Sequence, residues 1–119
     1  MNNQIESWLE VVSVNEVKEN KQSIITKYFT ETELKEINAN RPQTLAGFYA
    51  VKIALKKIIN QKYPGSNITE NNIILMHNSN GAPYIKDILS LQKEDLKKFC
   101  ISISHTSENA YGFVTFGDR

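Results

Sequence analysis

The chain's 119 residues suit one small domain, 1–119, with a single core. Its 14 Lys and Arg against 13 Asp and Glu leave a net charge of +1, which argues against binding to nucleic acid or membrane through bulk charge. A 40% hydrophobic and 23% charged composition excludes a disordered tail, and a single cysteine, Cys100, excludes an internal disulfide framework. With His77 and His105 the only histidines, a structural zinc site is not expected either. The opening MNNQIESWLE has neither the basic nor the apolar part of a signal peptide, and no stretch reaches membrane-span length. The expected setting is the cytoplasm.

The first apolar segment, Trp8-Leu9-Glu10-Val11-Val12-Ser13-Val14, is short and β-branched, which predicts a strand. Val17 to Tyr28 is polar, with Lys18, Lys21 and Lys27, and predicts a short helix before Phe29. Thr30-Glu31-Thr32-Glu33 has the S/T-x-x-E form of a capping box and opens a helix from about Glu31 to Asn38. Arg41-Pro42 then starts the longest periodic segment, proline being suited to a first helical turn. Leu45, Phe48, Val51, Leu55, Ile58 and Ile59 recur at helical spacing as one buried stripe. Ala46, Ala50 and Ala54 run beside it and allow a strand or helix to approach closely. Pro64-Gly65 ends the helix near Tyr63.

Strands dominate the rest. Asn72 to Met76 predicts a strand, Asn78-Ser79-Asn80-Gly81 a turn, and Pro83-Tyr84-Ile85 the return. Ser90 is expected to cap a short helix reaching Lys98. Cys100 to Ser104 and Ala110 to Phe116 finish the chain as strands joined by His105-Thr106-Ser107-Glu108-Asn109. The class is α+β.

Generic chemical motifs are missing: there is no phosphate-binding glycine loop, no G-x-S-x-G and no metal-spaced His/Cys cluster. Cys100 heads an apolar strand and reads as a small core residue rather than a nucleophile. Ser102-Ile103-Ser104-His105-Thr106 ends an alternating strand, where hydroxyls, backbone N–H groups and an imidazole either converge on a small anion or satisfy a turn. Lys52, Lys56 and Lys57 lie mid-helix. Lys57 shares a face with Ile53, Tyr49, Ala46 and Ala50, and it either meets a phosphate or lies solvated with its stem over apolar surface.

Taken in order, several segments resemble the holo-acyl-carrier-protein synthase branch of the 4′-phosphopantetheinyl transferases. They are Phe29-Thr30-Glu31-Thr32-Glu33-Leu34, Arg41-Pro42-Gln43-Thr44-Leu45-Ala46, Ala50-Val51-Lys52, Gly81-Ala82-Pro83, and Ile101-Ser102-Ile103-Ser104-His105-Thr106 followed by Ala110-Tyr111-Gly112-Phe113-Val114. The resemblance implies a small fold with an antiparallel sheet packed on one long helix. It implies transfer of the phosphopantetheine arm of coenzyme A to a serine of an acyl carrier protein, in fatty acid or polyketide biosynthesis. Mg²⁺ would stabilise the phosphoryl oxygens. It further implies a homotrimer, or a mixed oligomer, with sites between subunits. Gly81, Pro83, Ser104, His105 and Thr106 fall where the family meets coenzyme A, and Lys57 falls near its phosphates as a candidate catalytic group. Lys18, Lys21 and Lys27 suit an acidic helix of a carrier protein.

At the metal the pattern departs from the family. The carboxylates expected on the first strand and the long helix align with Ser13 and Ile53, and neither is a metal ligand of the required kind. The family's arginine on that helix aligns with Phe48, and the loop after the helix is the longer Gln61-Lys62-Tyr63-Pro64-Gly65-Ser66. Glu10 and Glu16 are each an odd number of residues from Ser13, so on a regular strand they would point to the other face. Two readings stand: a transferase drawing on another carboxylate or a partner's residue, and a silent homologue that binds coenzyme A, a carrier protein or a sister subunit.

Overall fold

The computed structural model describes residues 6–37 and 40–117. Strand β1 (Glu6–Ser13) stops one residue short of the expected end, because Ser13 caps a helix: its hydroxyl accepts the Glu16 N–H at 3.2 Å. Val14 therefore opens α1 (Val14–Glu19) instead of closing a strand. The polar stretch holds two helices, α1 and α2 (Lys21–Tyr28), separated at Asn20. The backbone and side-chain N–H groups of Asn20 both donate to the Glu16 carbonyl, at 3.0 and 2.9 Å. The capping box forms as expected ahead of α3 (Glu31–Glu36), with the Glu33 N–H on the Thr30 hydroxyl and the Thr30 N–H on the Glu33 carboxylate. Asn38 and residues 1–5, on which parts of the sequence reading fall, lie outside the described residues.

Helix α4 (Pro42–Lys62) matches expectation, with proline in its first turn and the whole predicted stripe buried. A three-stranded antiparallel sheet lies against it in the order β1, β5 (Asn109–Phe116), β4 (Phe99–His105). Ala46, Ala50 and Ala54 are fully buried. Gly112 of β5 sits so close to α4 that a Cβ there would lie 2.5 Å from the Val51 backbone nitrogen and 2.6 Å from the Ala50 carbonyl carbon. The small-residue face thus admits a strand. A separate hairpin, β2 (Ile73–His77) and β3 (Pro83–Ile88), follows a 3-10 turn at Glu70–Asn72.

Two further expectations fail. Ser90 does not cap a helix: it holds a left-handed turn at φ +74°, and Gln92 precedes the short α5 (Lys93–Leu96), its N–H donating to the Asp95 carboxylate at 3.1 Å. Cys100 is not a core residue: alternation along β4 turns Phe99, Ile101 and Ile103 inward and leaves Cys100 exposed beside Ser102 and Ser104. The same alternation gives the sheet an outer face that carries Leu9 and Val11 opposite Phe113 and Tyr111, with Leu9 55% and Val11 49% exposed. Among the described residues no helix is long and apolar enough to cross a membrane.

Candidate functional site

The three lysines of α4 have unlike surroundings. Lys52 is fully buried, and its ammonium donates to the Glu33 carboxylate at 2.6 Å and to the carbonyls of Tyr28, Glu70 and Ile73 at 2.8 to 3.1 Å. Glu33, equally buried, spends its second oxygen on the Leu75 N–H at 2.9 Å. Burial pushes the Lys52 ammonium below the usual lysine range, and the Glu33 charge opposes that shift. This pair joins α2, α3, the 3-10 turn and β2 to the long helix, and every polar atom in it is satisfied. It is a structural centre. Sequence reasoning passed over it, although Lys52 falls four residues after Phe48 and three before Leu55, inside the buried stripe.

Lys56 pairs with Glu70 at 3.0 Å. Lys57 is exposed, lies 3.5 Å from the Glu10 carboxylate and sits over the Trp8 ring at 4.4 Å. The Trp8 indole N–H donates to the same Glu10 oxygen at 2.7 Å. Glu10 is on the helix-facing side of β1 with buried Val12, as the parity argument required. Glu16 lies in α1, where strand alternation does not apply.

Three expected residues converge elsewhere. Gly81 and Pro83 of the hairpin, Ile103 and His105 of β4, and Gln43, Thr44 and Phe48 of the opening turns of α4 enclose a cavity of about 220 Å³. His105 reaches it because it shares a strand face with inward-turned Ile101 and Ile103. Gly81 reaches it through a left-handed turn at φ +89°, a conformation that glycine adopts without strain; the Asn78 carbonyl accepts the Gly81 N–H at 2.9 Å. Gln43, Thr44, Phe48 and Ile103 are new to the site, and of these Gln43, Thr44 and Ile103 belong to the segments that carry the family resemblance.

The remaining candidates stand apart. Ser104 is exposed on the outer sheet face. Thr106 closes the β4–β5 turn, its hydroxyl accepting the N–H groups of Glu108 and Asn109 at 3.1 and 3.0 Å. Lys57 lies 13 residues beyond Thr44 on α4, roughly 20 Å along the axis at 1.5 Å per residue. One chain therefore does not bring Lys57 and His105 together. A wider groove of about 400 Å³ lies between β3 and β4, but it contains only Pro83 of the expected set. The smaller cavity has the convergent polar groups that a small-molecule site requires.

Ser13 is occupied as a helix cap and Ile53 is a half-buried hydrocarbon packed on the core. Among the described residues no three His, Cys, Asp or Glu side chains are grouped to hold a metal ion. Neither Ser13 nor Ile53 carries a carboxylate, the protein ligand that Mg²⁺ favours. Near the start of α1, Val12, Glu16, Tyr28 and Tyr49 line a cleft of about 360 Å³, with the two tyrosine rings stacked at 5.0 Å. Burial, then Tyr28, Glu70 and Glu10, push the Tyr49 phenol far above its ordinary range, so it stays a neutral hydroxyl.

The fold of this chain, a long helix laid across a three-stranded antiparallel sheet with a separate hairpin, is shared with solved holo-acyl-carrier-protein synthases. Three solved structures carry the comparison. The chain is similar to a holo-(acyl-carrier-protein) synthase from Bacillus anthracis in complex with CoA (3′,5′-ADP), with TM-score 0.71 and 17% identity over 95% of this chain and 96% of that one. It is similar to the Chronobacterium ammoniagenes ACPS–CoA complex at TM-score 0.74 and 18% identity, covering 98% and 99%. It is similar to the Neisseria meningitidis holo-[acyl-carrier-protein] synthase at TM-score 0.70 and 23% identity, covering 99% and 100%. No protein-family model and no curated protein matches the chain.

Proposed function

We propose that this chain is a holo-acyl-carrier-protein-synthase-like protein of the cytoplasm that binds coenzyme A and an acyl carrier protein while its Mg²⁺-dependent transfer is impaired. The observation that carries the binding half is the cavity joining Gly81, Pro83 and His105 to the start of α4, in a fold whose solved examples include two CoA complexes. We assign the nucleotide end of coenzyme A to that cavity. Among the described residues that line it, His105 is the one with a titratable side chain, and the backbone at Gly81 admits close approach of a ligand. Thr106 acts on it only by shaping the turn after His105, and Ser104 lies on the other sheet face.

The impaired half rests on Ser13 and Ile53. A hydroxyl that already caps a helix and a hydrocarbon supply no anionic oxygens, so the charge that builds up when the pyrophosphate breaks lacks its usual partner. Loss of one such stabilising contact costs about 10²–10³ in rate.

Lys57 is the remaining cation of the expected centre, and its distance from His105 within one chain favours sites built between copies. The exposed Leu9, Val11 and Phe113 face supports such assembly into a homotrimer or a mixed oligomer, since contiguous apolar surface marks interaction sites. A second reading is an active transferase that recruits Glu10, favoured by the Glu10 carboxylate lying against Lys57.

Mass spectrometry of an apo carrier protein incubated with this chain, coenzyme A and Mg²⁺ separates the two. A carrier that gains one phosphopantetheine establishes the transferase. An unmodified carrier, with coenzyme A bound by the chain in the same tube, establishes the binder. An unmodified carrier without bound coenzyme A removes both.

A further inference from the structure

The hairpin that supplies Gly81 and Pro83 to the cavity carries the only Asn-Gly step in the chain, Asn80-Gly81. The loop is closed at its base by the Asn78 N–H on the Ala82 carbonyl at 2.9 Å, and the Gly81 N–H donates to the Asn78 carbonyl at 2.9 Å. The Asn78 side-chain oxygen accepts the N–H groups of Asn80 and Ala82 at 3.2 and 3.0 Å, so that amide is held. Among the described residues the Asn80 oxygen only shares the Ala82 N–H, at 3.2 Å. Residues 77–82 are exposed throughout, and a Cβ built on Gly81 would meet nothing within 4 Å. The bond that engages the Gly81 amide lies at the tip of a two-stranded hairpin, where local opening costs least.

A backbone nitrogen that belongs to glycine has no side chain to shield it from the amide of the residue before. We propose that Asn80 is a site of spontaneous deamidation that places a carboxylate at the edge of the cavity. With hydroxide as base, the Gly81 amide nitrogen gives up its proton and attacks the side-chain carbonyl carbon of Asn80. The new C–N bond closes a five-membered succinimide, the bond to Nδ2 breaks, and that nitrogen leaves as ammonia, taking a proton from water. Water then opens the ring at either carbonyl. One product is aspartate; the other is isoaspartate, in which the main chain runs through the former side chain and is one methylene longer. Water and hydroxide are the only co-reactants, and nothing is oxidised or reduced. Resting on the reading that the cavity takes part of coenzyme A, the added charge next to Gly81 weakens binding of that anionic ligand by about two- to fivefold, the scale of one exposed charge contact.

The test is incubation of the full chain at mildly alkaline pH, followed by peptide mass spectrometry. A gain of one mass unit at Asn80, ahead of every other asparagine, is expected, with Asn78 intact over the same period. Asn80→Gln, whose longer side chain would have to close a six-membered ring, is expected to stay unmodified at that position. An Asn80 that stays intact, or that reacts no faster than Asn78, overturns the site and leaves the coenzyme A reading untouched. Calorimetry of fresh and converted chain with coenzyme A reads the consequence. Binding about two- to fivefold weaker after conversion, reproduced by Asn80→Asp, is expected. Conversion with unchanged affinity overturns the link to the cavity. Fresh chain that does not bind coenzyme A overturns the binding reading and that link with it, while the conversion, read by mass, still decides the site.

Discussion

The Lys52 ammonium lies 2.6 Å from the Glu33 carboxylate, and neither side chain has any exposed surface. Such a pair stands or falls together. Removing one partner leaves the other as a buried, uncompensated charge, at a cost of about 3–5 kcal/mol. That is a large part of the roughly 5–15 kcal/mol that holds a domain folded. Lys52→Met is therefore expected to lower the urea midpoint drastically, while Lys52→Met with Glu33→Gln recovers part of the loss by removing the orphan charge. A single variant within 1 kcal/mol of wild type would show that the pair adds little.

Gly112 gives a second, purely steric prediction. The atoms a new methyl group would meet are backbone atoms of Val51 and Ala50, which cannot swing away, and the Ala50 Cβ at 2.9 Å. At Gly47 the obstacle at 2.5 Å is the Cγ2 of Ile103, a side chain with rotamers to explore. Gly112→Ala is expected to cost more than Gly47→Ala, with overpacking of about 1–3 kcal/mol setting the scale. Thermal unfolding of the two variants side by side checks the order, and a reversed order would refute the tight β5–α4 contact.

The long helix, its stripe, the capping box at Thr30 and the final two strands were legible because each is dictated locally, by periodicity or by a cap. Ser13 was legible only in part, since the β-branched run around it favours a strand and only its cap bond to Glu16 shows where the strand stops. Ser90 misled for the opposite reason: a serine before a polar segment looks like a cap, and the choice of Gln92 depends on the turn following β3. Lys52 and the cavity lining at Gln43, Thr44 and Phe48 are tertiary facts. A lysine counts as solvated until four chain segments supply oxygens for it, and a cavity exists only once hairpin, strand end and helix start meet.

Tyr49 predicts a pH effect. Its folded-state pKa lies above the ordinary 10.0, so above that pH the folded chain holds a proton that the unfolded chain has lost. The folded state then binds more protons, and stability falls as pH rises. Lys52 runs the other way: with its folded-state pKa below 10.5, the folded chain binds fewer protons beneath that value, and this contribution rises with pH. Comparing wild type with Tyr49→Phe isolates the tyrosine. Urea titrations between about pH 9 and 11 are expected to show a decline in wild type that is shallower in Tyr49→Phe. Parallel curves would mean that the phenol is not perturbed.

Restoring carboxylates at positions 13 and 53 tests whether these positions can hold the metal. Aspartate is as good an N-cap as serine, so Ser13→Asp keeps the bond to the Glu16 N–H, and half-buried Ile53 leaves room for Ile53→Glu to reach solvent. Wild-type coenzyme A affinity is expected to change less than twofold on adding Mg²⁺, and the double variant at least tenfold, a gain of about 1.4 kcal/mol. Calorimetry with and without Mg²⁺ reads both. A strong Mg²⁺ effect in wild type would show that a carboxylate set outside these two positions is at work, and none in the double variant would undermine their assignment to the metal.

Finally, Lys57 and His105 lie at opposite ends of α4, Lys57 held by Glu10 and Trp8 and His105 in the cavity. Their separation along α4 favours a coenzyme A site in which the two come from different copies. His105→Ala and Lys57→Ala are each expected to weaken coenzyme A binding markedly, tenfold or more, about 1.4 kcal/mol. Unfolded and refolded together in equal amounts, the two variants would form mixed closed oligomers in which roughly a quarter of the interfaces pair an intact lysine with an intact histidine. Calorimetry of the mixture is expected to recover that fraction of wild-type sites. No recovery, with light scattering confirming mixed oligomers, would place the two residues in separate roles and reduce Lys57 to a surface lysine covering Trp8.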